Sequence, residues 1–368
     1  MDFAGRIGRL RELFNKHCID AMLISKLENI HYLSGFTGST AQLIITGKEL
    51  FFLTDSRYYE QFKQEVMGGY QLIPFFSGTL GGKLAEIGAR TGIKKLGVEA
   101  STLAFAQVME LQENAGMEIT PTSGVIEGLR VIKEPEEVDC IRRAIELKEE
   151  AYSEVIKGLK PDVTEAQTAA EFEYRIRLKG ARASSFSPIV AFGENSCKPH
   201  ASFSSRKLVP ASPLLFDVGV KLDSYCSDFT RTIFFGGVSP GWEKIYSAVL
   251  EAKDAAATLG KPGMTGLDVD RIARDIITAR GFDSYDDNGE ERKYFGHGLG
   301  HGVGLEVHEG PRLHIKSADV LAPGMIITIE PGIYLPGQGG VRIEDMYLVT
   351  ENGFENLNSL PTDLRVVQ

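Results

Sequence analysis

The chain has 368 residues, 43% of them hydrophobic and 24% charged, and a formal charge of −10. Its length favours two domains over one core, and its composition is that of an ordinary globular protein with nothing pointing to disorder. The acidic balance argues against nucleic acid or an anionic membrane as the main partner, since both select basic patches, and leaves small or peptidic ligands.

The N-terminal stretch MDFAGRIGRLRELFNKHCIDAMLI sets Leu10, Leu13 and Phe14 on a helical stripe among charges. It is neither a signal-peptide core nor a membrane span, so a cytoplasmic location is expected. Cys18, Cys140, Cys197 and Cys226 form no C-x-x-C pair and read as reduced, packed residues. The apolar runs DAMLIS, AQLIIT, LFFLTD, YQLIPFF and KKLGVEA alternate with helical stripes, an α/β pattern. Near residue 130 the texture changes. An amphipathic helix opens at Glu134-Pro135, with Val138, Ile141, Ile145 and Tyr152 at helical spacing. Domains of 1–129 and 130–368 are therefore expected.

The second part contains an internal repeat. KGLKPDVTEAQTAAEFEYRIRLKGA and ATLGKPGMTGLDVDRIARDIITARGF match at a constant offset of 101, pairing Lys160 with Lys261, Pro161 with Pro262, Thr164 with Thr265 and Gly180 with Gly281. Each copy reads as a helix end, a K-P turn, a capping threonine, a second helix and a stopping glycine. The same offset carries His200 onto His301. Two similar halves, each giving one histidine to a shared cleft, are predicted.

Between and after these helices lie two acidic hairpins and one histidine-rich stretch. In LLFDVGVKLDSYCSDFTRTIFF the midpoint of Asp217 and Asp228 falls in the polar turn KLDS, which predicts that the two acids face each other across an antiparallel pair. FGHGLGHGVGLEVHEGP holds His297, His301 and His308 among alternate glycines. Its five glycines from Gly296 to Gly304 would cost a helix roughly 5 kcal/mol, so it is extended or looped and is no helical zinc box. In IITIEPGIYLPGQGGVRIEDMYLV the midpoint of Glu330 and Glu344 is Gly337, and these acids too should be opposed. Like charges roughly 5 Å apart across strands are destabilising. Buried between the apolar runs SPLLF and GMIITI, two such pairs are best neutralised by metal. Four carboxylates and an imidazole exceed one tetrahedral zinc and suit two ions, with Mn²⁺ favoured and Co²⁺, Fe²⁺ or Zn²⁺ as alternatives.

With these residues in view the chain resembles the pita-bread metallopeptidases of family M24, in the proline-specific branch that includes aminopeptidase P and prolidase. HYLSGFTGSTA and LTDSRYYEQ resemble its N-terminal domain, LRVIKEPEEVDCIRRA the helix that opens its second domain, and DVGVKLDSYCSDFTRT, GHGLGHGVGLEVHEGP, TIEPGIY and VRIEDMYLVT its catalytic motifs. The resemblance implies an α/β first domain and an α+β pita-bread second domain with a curved antiparallel sheet and a pseudo-twofold repeat. It implies two divalent ions on Asp217, Asp228, His301, Glu330 and Glu344, with Asp228 and Glu344 bridging and a hydroxide between the metals as nucleophile. Glu330 would also handle the proton passing to the leaving amine. His200, His297 and His308 would surround the substrate, and Tyr334 and Arg342 would stand behind the ligands or in the pocket. The implied activity is cleavage of the N-terminal Xaa-Pro bond of dipeptides or short peptides, by a homodimer. A proline amide has no N–H and a fixed ring, so a site that clasps the ring suits it better than one that binds an extended strand.

Each residue also has a plainer reading. Any one of the four acids alone is more often a solvated strand residue or half of a salt bridge, and only the paired arrangement points to metal. Arg342 reads nearly as well as a partner for a neighbouring acid. Arg312 is either a solvated cation or the partner of a dipeptide's terminal carboxylate, and the sequence leaves both open. His17, His31 and Trp242 read as structural, His314 as a surface or loop histidine, and Asp55 and Arg57 as an internal pair. Methionine aminopeptidase resembles only the second part. Creatinase works without metal, and a catalytically silent binding relative would be expected to have lost ligands that are all present here.

Overall fold

The five apolar runs of the first third all form strands, because each is short, rich in Leu, Ile, Val or Phe and bounded by turn formers. They are β1 (Ala21–Ile24), β2 (Gln42–Thr46), β3 (Leu50–Thr54), β4 (Gln71–Pro74) and β5 (Lys95–Glu99), and β6 (Glu118–Thr122) completes a six-stranded sheet of order β4-β3-β2-β1-β5-β6. The computed structural model describes residues 1–75, 79–285 and 294–368, so Phe76 at the end of the fourth run lies outside the described residues. The sheet is mixed: β1 runs antiparallel to β2 and parallel to β5. All four residues of β1 are buried, which is why it reads as continuous rather than alternating. β6 carries Pro121 and little apolar surface, features an edge strand tolerates and a sequence scan passes over.

The chain divides into two compact units, Met1–Arg130 and Val131–Gln368. The second opens with the helix Pro135–Lys157, where Glu137 Oε2 accepts the Glu134 N–H at 3.0 Å. Val138, Ile141, Ile145 and Tyr152 are all buried along it. The helices Glu165–Leu178 and Gly266–Ala279 start on the two repeat threonines. Thr164 Oγ1 accepts from Gln167 N and Thr265 Oγ1 from Asp268 N, both at 3.2 Å, while each third residue reaches back to its threonine N–H. Gly180 and Gly281 stop both helices at φ +96° and +91°, a conformation that suits glycine. Each half has its own core, one around Ile176, Phe192 and Phe216, the other around Val269, Ile277 and Ile327. The repeat is thus a repeat of packing as well as of sequence.

Strands flank the acids. β7 (Ala183–Ser184), β10 (Val220–Leu222) and β11 (Tyr225–Cys226) form a small antiparallel sheet ordered β11-β10-β7. β8 (Ile189–Phe192), β9 (Pro213–Asp217), β12 (Thr230–Phe235) and β20 (Val366–Val367) form one sheet, ordered β20-β12-β9-β8. β13 (Gly300–Gly302), β14 (Glu309–Leu313), β15 (Ile326–Ile329), β18 (Asp345–Thr350) and β19 (Gly353–Asn356) form another, ordered β14-β13-β15-β18-β19. β16 (Gly332–Leu335) and β17 (Gly339–Arg342) pair with each other. The helices Pro240–Leu259 and Gly266–Ala279 pack on the second sheet's core, where Trp242 is partly buried. Among the described residues no helix is long and apolar enough to cross a membrane.

Candidate metal centre

The second acidic hairpin folds in the expected register. Ile329 pairs with Asp345 and Gly332 with Arg342, so Glu330 and Glu344 oppose each other where one ladder ends and the next begins. The first hairpin departs from expectation. Asp217 pairs with Thr230, not with Asp228. The reversal is a tight turn at Asp223 and Ser224, both at positive φ (48° and 72°), which centres the hairpin one residue later than the sequence midpoint and displaces the register by two. Asp228 is a diagonal neighbour of Asp217 rather than its partner.

All four acids nevertheless reach one cavity of about 960 Å³, together with His200, His297, His301, His308, Arg312 and Arg342. Ligand atoms of Asp228, His301 and Glu344 lie within 4.8 Å of one another. His301 Nε2 is 3.6 Å from Asp228 Oδ2 and 3.4 Å from Glu330 Oε1. Its Nδ1 donates to the Gly302 carbonyl at 3.0 Å, which leaves the Nε2 lone pair facing the acids. Burial and the neighbouring His308 ring keep this imidazole neutral down to about pH 3, the form a metal needs.

The carboxylates are held under mutual repulsion. Burial first, then Glu344, Asp217 and Glu330, raise the Asp228 carboxyl well above the usual range. Burial and Glu344 do the same to Glu330. Glu344 is pushed up to about 8 by burial and by Asp217. Arg342 compensates directly: its Nη2 donates to Asp217 Oδ2 at 2.6 Å. Asp217 Oδ1 is buried and has no hydrogen-bond partner among the described residues. An unsatisfied carboxylate oxygen beside three repelling acids and a bare imidazole nitrogen fits divalent cations.

The remaining predicted residues fall into two groups. His200, His308 and Arg312 are exposed on the cavity wall. Tyr334 is buried behind the wall: its hydroxyl accepts from Arg342 Nη1 at 2.7 Å and meets His297 Nε2 at 2.9 Å. His297 Nδ1 donates to the Gly298 carbonyl at 2.8 Å, so its Nε2 accepts the Tyr334 proton. Burial and Arg342 keep this ring neutral to about pH 3. Both polar atoms of His297 are therefore engaged, and its ring face is what it offers a substrate.

Two further residues join the site without having been picked out for it from the sequence. Thr230 Oγ1 donates to Glu344 Oε2 at 2.7 Å and accepts from Arg342 Nε at 3.1 Å, a role nothing in the sequence marks. His314, read as a surface or loop histidine, lines the cavity with Lys316. It stands in the loop directly after β14, which ends at Leu313.

Buried and half-buried carboxylates that converge with a neutral imidazole on an open cavity form the donor set of a metal-dependent hydrolase. The chain belongs to metallopeptidase family M24, whose pattern matches residues 139–351, preceded by a creatinase/prolidase N-terminal domain over residues 6–132. It is 36% identical to the Xaa-Pro dipeptidase of Pyrococcus horikoshii, over 98% of each chain. Its fold matches the solved Xaa-Pro dipeptidase of Bacillus anthracis at a TM-score of 0.94 and 37% identity, covering 99% of this chain and 100% of that one. The X-Pro aminopeptidase of Thermotoga maritima matches at 0.87 and 32% identity, covering 97% and 100%.

Proposed function

We propose that this protein is an Xaa-Pro peptidase in which Asp217, Asp228, His301, Glu330 and Glu344 would hold two divalent ions, Mn²⁺ by preference, and Asp228 and Glu344 would be the carboxylates common to both. The observation that carries the reading is the convergence of these donors on one cavity, with the orphaned Asp217 Oδ1 among them. When bound, such ions supply Lewis acidity and activate water at neutral pH.

The chain's own residues do the rest. Glu330, facing His301 Nε2, holds and moves the proton that must reach the departing proline nitrogen. His200 and His308, exposed on the wall, donate to the substrate carbonyl region, and the face of His297 packs the pyrrolidine ring. Arg342 orients Asp217 and, through Tyr334, fixes His297. Arg312, on the wall beyond His308, pairs with the terminal carboxylate of a dipeptide. The relatives named as dipeptidases support this last point. A cytoplasmic homodimer is proposed from the family resemblance alone.

The test is proline release by Mn²⁺-loaded protein from Xaa-Pro, Xaa-Ala and Xaa-Pro-Yaa peptides. Hydrolysis of Xaa-Pro in preference to Xaa-Ala is expected. Hydrolysis of the tripeptide alone would overturn the role of Arg312, and no hydrolysis of any Xaa-Pro bond would overturn the activity. Light scattering at micromolar concentration tests the dimer.

A further inference from the structure

The two acidic hairpins belong to different sheets, and Arg231 lies at the seam between them. It follows Thr230 on β12, is 3% exposed, and uses all five guanidinium N–H groups. Nη1 donates to the carbonyls of Thr230 at 3.0 Å and Glu344 at 2.6 Å. Nη2 donates to Asp345 Oδ1 at 2.7 Å and to the Leu360 carbonyl at 2.8 Å, and Nε to the Pro361 carbonyl at 3.2 Å. The guanidinium also lies over the Phe229 ring, 4.5 Å from its centroid.

Three stretches of chain therefore meet on one planar cation: the strand after Asp228, the residues at Glu344, and the C-terminal segment. That segment is itself fixed at several points. Asn358 Nδ2 and Ser359 N donate to Glu149 Oε1, both at 3.0 Å, and the Tyr246 hydroxyl donates to the Thr362 carbonyl at 2.9 Å. Beyond it, β20 pairs with β12 in parallel. Asp345, fully buried, is shared with Lys253 Nζ at 2.9 Å.

We infer that Arg231 is a positioning residue of the metal centre: with the carbonyls of Leu360 and Pro361 as its outer anchor, it sets the separation of the two carboxylates, Asp228 and Glu344, that the ions would share. It touches neither carboxylate and acts through the Glu344 backbone and Asp345. The inference rests on the dinuclear reading above. A rigid fork that satisfies acceptors on three sides is what arginine provides and lysine does not, so Arg231→Lys keeps the charge and removes the bridge.

The experiment titrates EDTA-stripped, dialysed full-length protein with MnCl₂ by calorimetry, records the visible spectrum of the Co²⁺-loaded form, and follows melting of the metal-free form. Wild type is expected to take up two ions. Arg231→Lys is expected to bind the second ion roughly 10- to 100-fold more weakly, the usual cost of disturbing residues behind metal ligands, and to change the Co²⁺ spectrum. A merely structural role would lower the melting temperature and leave ion affinity in the folded protein unchanged, and that result would overturn the inference. If Arg231→Lys does not fold, Asp345→Asn replaces it: weakened uptake of the second ion supports the inference, and wild-type affinity overturns it. A wild-type protein that binds no second ion would instead defeat the dinuclear reading, which separates the two failures.

Discussion

The two acidic hairpins of the second unit solve the same problem in different ways. In the second, acid stands opposite acid: Glu330 faces Glu344 in register, with Gly337 at the turn. In the first, the residue opposite Asp217 is Thr230, a hydroxyl that donates to Glu344 across the seam. The compensation is reciprocal, since the second hairpin sends Arg342 to Asp217. Neither hairpin satisfies its own charges, and the site exists only where both are present.

Breaking the second hairpin should have the largest effect. Glu330→Gln keeps its shape but cannot carry a proton, and kcat for proline release at saturating Mn²⁺ should fall by roughly 10²- to 10⁴-fold. A variant that keeps the wild-type rate would remove Glu330 from the chemistry. Next comes the cation that one hairpin lends the other. Arg342→Met leaves Asp217 without its partner and should cost the metal-free protein about 3–5 kcal/mol in urea unfolding. The loss should shrink with Mn²⁺, and an equal loss with and without metal would mean that the ion does not take over the compensation.

The acid-facing-acid arrangement should also show in pH dependence. Glu344, ordinarily near 4.5, keeps its proton to about 8 because it is buried and near Asp217. A carboxyl raised in the fold contributes stability that is full below its unfolded value and is lost as pH climbs through its folded one. His297 and His301, lowered from 6.5 to about 3 chiefly by burial, oppose this only below about 6.5. Metal-free protein should therefore lose stability between about pH 6.5 and 8, as followed by thermal melts, while Mn²⁺-saturated protein stays level. A flat metal-free profile would contradict the repulsion. The smallest effect belongs to the first hairpin's turn. Ser224 holds a φ of 72°, and Ser224→Gly should add about 1 kcal/mol in urea unfolding without altering ion binding.

The same contrast marks what the sequence makes legible. Symmetric placement about Gly337 gives the Glu330–Glu344 register correctly, because the residues between them form a regular ladder. It misplaces Asp217 and Asp228, because the turn occupies Asp223-Ser224, and no residue there advertises positive φ as Asn-Gly would. The α/β texture, the helix at Pro135 and the repeat at offset 101 are readable because periodicity and caps are local signals. β6 is not, since an edge strand with Pro121 lacks the apolar run that marks its neighbours. Thr230, Arg231 and Asp345 act through contacts more than a hundred residues away in sequence, and nothing near them signals that the chain returns there.

Crystals of the metal-free protein soaked in MnCl₂ and measured at the manganese absorption edge give the most direct test. Two anomalous peaks enclosed by Asp217, Asp228, His301, Glu330 and Glu344 are predicted. A single peak, or manganese bound only outside this cavity, would contradict the account.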